Sequence, residues 1–382
     1  MSNKIKLLAV IHSLHGGGAE RQFIHIVNNL DRKSFDIAVC LFEKQGIYVH
    51  DLPNDVKIYD LKRAGIFSFI KLIWRLKKVI DADVPQMIYS RHWKPNILTI
   101  IARLLAKSKP RIVITEEAVL SDALTFEYGR SKWLISLLVK WCYPLADRVV
   151  SVSDGVNKDL INNFGLPAQK GAILHNMVDD DYIKNKLESS HRGKADIDAQ
   201  NTEGEKEFVV TSMGRLNKQK GYTDLIEAIR IVNESMPCRL EILGEGPELH
   251  NLQRLIAQYH LTEKVLFRGF QENPFKFIRN SDVFAMASLF EGLSCVLLEA
   301  MAVGVPIIYT DVSGVRDVAE DGKEILIVPP RSPEILAEKI IFLSKNPEYC
   351  KKLAENAQIK AQNFSVEKSI KKLENLFLSL CR

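Results

Sequence analysis

Apolar runs of strand length alternate with runs of helical spacing along nearly the whole chain. KIKLLAVIHSL is rich in β-formers, and GGGAERQFIHIVNNL then places Phe23, Ile26, Val27 and Leu30 at helical spacing. FDIAVCLF, QMIYS, RIVITE and RVVSVS repeat the strand part, each followed by a polar or glycine-bearing turn and usually a helix. Parallel strands need such crossovers, so the alternation predicts an α/β fold whose parallel sheets are covered by helices on both faces. The pattern breaks once. Asn185 to Glu207, NKLESSHRGKADIDAQNTEGEKE, is polar and charged and cannot bury a core, so it reads as a linker or surface insertion. Alternation restarts at FVVTSMG and runs through RLEILGEG, VLFRGF, DVFAMAS, PIIYTD and ILIVPP before closing on helices. The expected division is a first domain at 1–182, a linker or insertion at 183–207, a second domain at 208–360 and a terminal helix at 361–382.

The chain's 382 residues suit two domains of ordinary size. Hydrophobic residues make up 46% and charged residues 26%, the balance of a globular protein in water. The longest apolar runs, such as Val296–Ile308, are broken by Glu, Gly or Pro and fall short of the roughly 20 residues that span a bilayer. The opening apolar run has no small-residue cleavage site and reads as a first strand rather than a signal peptide. Cys40, Cys142, Cys238, Cys295, Cys350 and Cys381 are scattered with no CxxC pair, which argues against a disulfide framework or a metal site. No histidine pair has the spacing of a metal-binding motif. Residues 1–182 carry 25 Lys and Arg against 19 Asp and Glu, and residues 183–382 carry 27 against 28. The basic surplus lies in the first half. It suits a phosphate-bearing or anionic-membrane partner and is too small to argue for nucleic acid.

LFEGLSCVLLEAMAVGVPIIYTD, Leu289 to Asp311, sets Glu291 and Glu299 eight positions apart. A helix is expected to begin near Ser294 and to stop at Gly304. Glu299 then lies within the helix and Glu291 in the loop before it. Both can face one ligand across the helix N-terminus, where free N–H groups and a partial positive charge favour phosphate. A carboxylate is an acceptor only and can take two ribose hydroxyls. The alternative is that Glu299 reaches solvent and Glu291 caps a turn. GRLNKQKG places Arg215 and Lys220 in a loop at the carboxyl end of a strand, where open α/β sheets bind ligands. Two cations there can neutralise a departing diphosphate, or can simply be a solvated basic turn. LHGGGAERQ puts Gly16, Gly17 and Gly18 between the first strand and the first helix, which allows close approach of a ligand or just a tight turn. LGEGPEL is a similar loop in the second domain. His92 ends the strand QMIYSRH and is either a direct participant or a structural or merely exposed strand end.

Together these motifs resemble the retaining glycosyltransferases of family 4, which have the GT-B architecture of two facing Rossmann-like domains. The resemblance covers nearly the whole chain and is strongest through GRLNKQKG, LGEGPEL, FRGF and EGLSCVLLEAMAVGVPII. It implies that Glu291 meets the transferred sugar and that Glu299 grips the nucleotide ribose, with Gly292, Leu293 and Ser294 in the donor loop. Arg215 and Lys220 would hold the diphosphate. Gly17 and Gly18 would close over the donor from the first domain, and the loop at Phe270 would meet the base through its backbone. HNMVD, His175 to Asp179, matches the family's crossing between domains, and the terminal helix is expected to return to the first domain. In one departure, VITEEAV has Glu117 where many relatives have a histidine. His92 and Glu117 are therefore candidates for acceptor or sugar contacts whose roles do not carry over directly.

The implied reaction transfers a sugar from a nucleoside diphosphate with retention, by same-face attack, the leaving phosphate taking the acceptor's proton. The nucleotide sugar is a substrate, and no cofactor or metal is implied. IFSFIKLIWRLKKVI, Ile66 to Ile80, carries Lys71, Arg75, Lys77, Lys78 and Trp74 with no acid, and SKWLISLLVKWCY adds two tryptophans and two lysines. Such stretches suit an anionic membrane surface or a core face with a solvated rim. The resemblance favours the first, since many relatives extend lipid-linked glycans. The expectation is a cytoplasmic, metal-independent enzyme, peripheral at the inner face of the cell membrane. It would use a UDP-sugar and a glycan or lipid-linked acceptor in surface polysaccharide or lipopolysaccharide assembly. The rivals are a soluble transferase for storage or compatible-solute glycans, a nucleotide-sugar epimerase, and a catalytically silent nucleotide-sugar-binding module.

Overall fold

The structure is a computed structural model that describes residues 4–62, 69–189 and 207–381. The chain forms two compact units, one running to Met177 and resuming at Val366, the other Val178–Ser365.

The first unit is built on seven parallel strands: β1 (Ile5–Ile11), β2 (Phe35–Leu41), β3 (Lys57–Asp60), β4 (Met87–Arg91), β5 (Arg111–Glu116), β6 (Arg148–Ser151) and β7 (Gly171–Ile173). Their order in the sheet is β3-β2-β1-β4-β5-β6-β7. The central strands are buried along almost their whole length, as a sheet covered on both faces requires. Connecting them are α1 (Gly18–Asn29), α2 (Phe69–Asp83), α3 (Trp93–Leu105), α4 (Leu120–Glu127), α5 (Lys132–Cys142) and α6 (Asp154–Phe164). Helix α6 shows how local sequence sets the ends. Ser153 Oγ accepts the Val156 N–H at 3.2 Å, and Gly165 closes the other end in the left-handed conformation. Strand order reverses between β1 and β4, which opens a crevice at their carboxyl ends.

The second unit begins with α7 (Asp180–Ser189). A linker had been expected from residue 183, yet 183–189 is helical. Ile183 and Leu187, four apart, are buried, and Asp180 and Asp181 sit in the favourable first turn. Residues 190–206 of that stretch lie outside the described residues. Then follow β8 (Phe208–Met213), α8 (Tyr222–Asn233), β9 (Cys238–Leu243), α9 (Leu249–Gln258), β10 (Val265–Gly269), α10 (Phe275–Arg279), β11 (Val283–Met286), α11 (Cys295–Val303), β12 (Ile307–Thr310), α12 (Val315–Val318), β13 (Leu326–Val328), α13 (Pro333–Lys345) and α14 (Pro347–Ala361). The six strands are parallel in the order β10-β9-β8-β11-β12-β13, so the reversal falls between β8 and β11.

The units divide between Met177 and Val178, inside HNMVD. Buried Gln22 donates to the Met177 carbonyl at 2.7 Å and accepts its N–H at 2.8 Å. Val178 N–H donates to the Phe364 carbonyl at 2.9 Å, so the second unit's two ends lie side by side. The last helix, α15 (Val366–Cys381), belongs to the first unit. Its Phe377 is fully buried, edge-on to Phe35 and Tyr89.

Candidate functional site

In the second unit the two sequence motifs meet at the strand reversal. Arg215 and Lys220 follow β8, and Glu291 follows β11, its neighbour in the sheet. Lys220 Nζ reaches Glu291 Oε1 at 2.5 Å, with both side chains nearly buried. Ser288 Oγ donates to the same oxygen at 2.9 Å, and Gln219 Nε2 approaches Glu291 Oε2 at 3.5 Å. Thr310 Oγ1 in turn donates to the Ser288 carbonyl at 2.6 Å. Glu291 is therefore held from three sides.

Two glycines allow the loops to come this close. Gly221 has φ +61°, and a Cβ there would lie 1.9 Å from the Ala287 carbonyl oxygen. Gly314 has φ +82°, and its Cβ would lie 2.3 Å from the Gly292 oxygen. Neither position tolerates a side chain, because backbone fills the space and the conformation is left-handed.

Helix α11 starts where the sequence placed it, with Ser294 at the N-cap and Gly304 past the end. Ser294 makes no capping hydrogen bond, although capping is the usual reason for a serine there. Its hydroxyl and that of Tyr309 are both buried and lie beside each other, short of strict hydrogen-bond geometry. Burial, and next the charge of Glu291, push the Tyr309 phenol well above its ordinary range. Glu299 is buried inside α11 rather than solvated. Leu293 is buried in the loop before the helix. The N-terminus of this helix thus gathers N–H groups, two hydroxyls, a cation and two carboxylates, a set that can hold phosphate and polyol hydroxyls.

The other predicted donor residues are more exposed. The Arg215 side chain is at the surface and makes no ion pair among the described residues. Phe270 follows β10 with its ring exposed, and its backbone N–H points to Glu245 Oε1 at 3.4 Å. A cavity of about 270 Å³ lies beside the loop between Arg215 and Gly221, lined by Lys218, Asp224, Glu248, Leu289 and Arg331 among others. None of Arg215, Lys220, Glu291 and Glu299 lines it.

The first unit has its own cluster at the β1/β4 reversal. Gly17 is the N-cap of α1 and Gly18 its first residue. The Glu20 carboxylate folds back over Gly17, within 2.4 Å of where a Cβ would be, so the chain's own acid occupies that helix start. His92, at the end of β4, is exposed and holds φ +78°, a costly conformation for a residue with a side chain. Glu117 is claimed by Arg91 in a nearly buried ion pair, and Arg91 also donates to the Tyr89 hydroxyl at 3.1 Å. Behind it Glu116 is fully buried and accepts from the Tyr143 hydroxyl at 2.5 Å. Burial pushes the Glu116 carboxyl up, with nearby His92 the first cause acting the other way. A cavity of about 160 Å³ opens here, lined by Ser13, Glu20, Arg91, His92, Trp93 and Tyr128 among others. Among the described residues, no three His, Cys, Asp or Glu side chains gather as they would around a metal ion.

Sequence reasoning missed Ser288 and Gln219, which hold Glu291, as well as Tyr309, Arg91 and Glu116. Arg91 and Glu116 each stand next to a residue the motifs had singled out. Tyr309 lies on another strand, and nothing in its local sequence marks it.

The sequence matches the family described as Glycosyltransferase Family 4 over residues 16–182 and that described as Glycosyl transferases group 1 over residues 193–360. It is 30% identical to N-acetylgalactosamine-N,N'-diacetylbacillosaminyl-diphospho-undecaprenol 4-alpha-N-acetylgalactosaminyltransferase of Campylobacter jejuni, over 94% of this chain and 95% of that one. It is 27% identical to the O-antigen biosynthesis glycosyltransferase WclY of Escherichia coli, over 99% of each. Among solved structures, Anabaena Alr3699/HepE in complex with UDP-glucose shares the fold, with a TM-score of 0.81 at 20% identity over 98% of this chain and 100% of that one.

Proposed function

The chain belongs to the family 4 glycosyltransferases of GT-B architecture, and from this we propose that it moves a sugar from a UDP-sugar to a glycan or lipid-linked acceptor, with retention and without a metal. The observation that carries the reading is the meeting of Lys220 and Glu291 at the N-terminus of α11, on the strand reversal of the second unit. A diphosphate seated on that helix start lies beside Lys220, with Arg215 supplying a second cation from the loop. These charges do the neutralising that a divalent ion does elsewhere. Glu299, one turn into the helix, takes the ribose hydroxyls. Glu291, fixed by Ser288 and Gln219, faces the sugar.

As the bond from the anomeric carbon to the phosphate oxygen breaks, positive charge develops on the sugar and negative charge on the phosphate. The acceptor oxygen bonds to the same face, and its proton passes to the leaving phosphate. The crevice at the ends of β1 and β4, with His92 and the Arg91–Glu117 pair, takes the acceptor. UDP is chosen because a fold neighbour holds UDP-glucose. A lipid-linked acceptor is chosen because the Campylobacter jejuni relative is named for a diphospho-undecaprenol substrate. Both choices fit an enzyme of surface polysaccharide or lipopolysaccharide assembly, cytoplasmic and peripheral at an anionic membrane.

The test is a screen of UDP-, GDP- and ADP-sugars for binding and turnover, with the Arg215→Ala and Lys220→Ala variants alongside. Each variant is expected to lose on the order of 100- to 1000-fold in rate while keeping its fold. Wild-type turnover in both would remove the phosphate assignment, and loss of activity in EDTA would remove metal independence. Inversion at the anomeric carbon of the product would overturn retention.

A further inference from the structure

Helix α5 is apolar on its outward face as well as its inward one. Its inward stripe is Ile135, Val139 and Cys142, which are buried. Its outward stripe is Trp133, Leu137 and Trp141 at four-residue spacing, with Leu134 and Leu138 beside it. Trp133 is 66% exposed and Trp141 74%. Leu145 continues the ridge past the helix end. Lone exposed apolar residues are ordinary, but five on one eleven-residue helix make a patch that needs a partner. Lys132 and Lys140 border the ridge on one side, and neither enters a salt bridge among the described residues. The helix has no acidic residue.

Helix α2, which like α5 packs on α3, adds exposed Phe69, Ile70 and Trp74 with exposed Lys71 and Lys78. The sequence had put the weight on 66–80, and residues 66–68 lie outside the described residues. Two of the four basic side chains there are already engaged. Arg75 donates to the Leu61 and Lys62 carbonyls, and Lys77 pairs with Asp81 at 2.6 Å. The apolar anchor is α5.

We propose that the outward face of the α2–α3–α5 layer docks on an anionic membrane surface, with Trp133, Leu137 and Trp141 entering the interface and Lys132 and Lys140 meeting headgroups. This builds on the membrane-peripheral reading above and gives it an element and residues. No helix among the described residues is long and apolar enough to cross a membrane, so the contact lies in the plane of the surface. Charge selects this occupant over a second copy. A two-fold contact through this face would bring Lys71, Lys78, Lys132 and Lys140 of both copies together.

The experiment is cosedimentation of the full chain with phosphatidylcholine vesicles, with and without phosphatidylglycerol, at low salt. Thermal unfolding followed by circular dichroism serves as the check on folding of the first unit, which carries the substitutions, and calorimetric UDP binding reports the other unit separately. Wild type is expected to sediment with the anionic vesicles. The combined Trp133→Ala, Leu137→Ala, Trp141→Ala variant is expected to lose at least tenfold in partition, by the area removed from the interface. Lys132→Gln and Lys140→Gln are expected to lose about fivefold each on anionic vesicles and nothing on neutral ones. The lysine variants keep the test alive if the triple variant loses the first unit's unfolding transition and has therefore unfolded. Vesicle binding unchanged in both sets overturns the proposal. So does a wild-type dimer that the triple variant makes monomeric with vesicle binding intact, since the face then belongs to a second copy. Failed vesicle binding with intact UDP-sugar turnover sinks the docking face alone. Absent UDP binding with intact vesicle binding sinks the donor reading alone.

Discussion

At the scale of single residues, Glu291 and Glu299 differ in what surrounds them. Glu291 is tied to Lys220, Ser288 and Gln219, whereas Glu299 is embedded in α11. Glu299→Ala is expected to weaken UDP binding about ten- to hundredfold, because hydrogen bonds to a charged group contribute about 1.5–3 kcal/mol. Glu291→Gln is expected to bind UDP no worse than wild type, since Lys220 is left for the phosphate, and to lose turnover. Calorimetry beside initial rates separates the two, and equal losses of UDP affinity would refute the division. Glu116 gives a pH signature. Its carboxyl is raised in the folded chain, so the folded state holds a proton that the unfolded chain releases above its ordinary value near 4.5. Stability from this group is present below that value and falls as pH rises through the raised one. Glu116→Gln is expected to flatten the fall in melting temperature over that window. A melting curve as steep as wild type would place the pH dependence elsewhere. The placement of Glu291 in the loop and Glu299 in the helix was legible because their spacing is local. The partners of Glu117 and Glu116 were not, because Arg91 and Tyr143 lie 26 and 27 positions away in the chain.

Individual elements repeat this contrast. Strand and helix boundaries around the loop after β11 followed from its own residues, with Ser294 opening α11 and Gly304 ending it. What Ser294 does was not legible, because a serine before a helix reads as a cap and this one makes no capping bond. Removing a capping serine typically costs about 1 kcal/mol. Ser294→Ala is therefore expected to leave the denaturant midpoint nearly unchanged while weakening UDP about three- to tenfold, the worth of one neutral hydrogen bond. A clear drop in the midpoint with unchanged UDP affinity would make Ser294 a structural residue. Helix α7 shows a local reading overridden. Its polar composition argued for a linker, and burial of Ile183 and Leu187 made a helix of it, because two apolar residues on one face suffice when a neighbouring surface is there to receive them.

For the whole molecule, α15 is the element that composition explains least. It follows the second unit in sequence and packs in the first, where Phe377 fills space between Phe35 and Tyr89 and Glu374 accepts the Asp31 N–H at 2.7 Å. Phe377→Ala is expected to destabilise the first unit by about 3–5 kcal/mol, the usual cost of emptying a buried aromatic site. Guanidinium unfolding followed by fluorescence checks this, and a midpoint shift too small to resolve would mean that α15 is only laid on the surface.

The sequence by itself determined the α/β class, the two-part organisation and the loop-then-helix placement of Glu291 and Glu299. These rest on periodicity and on short spacings, and backbone geometry converts both directly into structure. The tertiary structure decided which motif residues touch, because contact between the loops after β8 and β11 depends on strand order, and strand order is set by packing across the sheet. It also decided that α5 presents its tryptophans outward. Hydrophobic periodicity marks two faces of a helix, and only the neighbours that cover one of them fix which face is left to meet a partner.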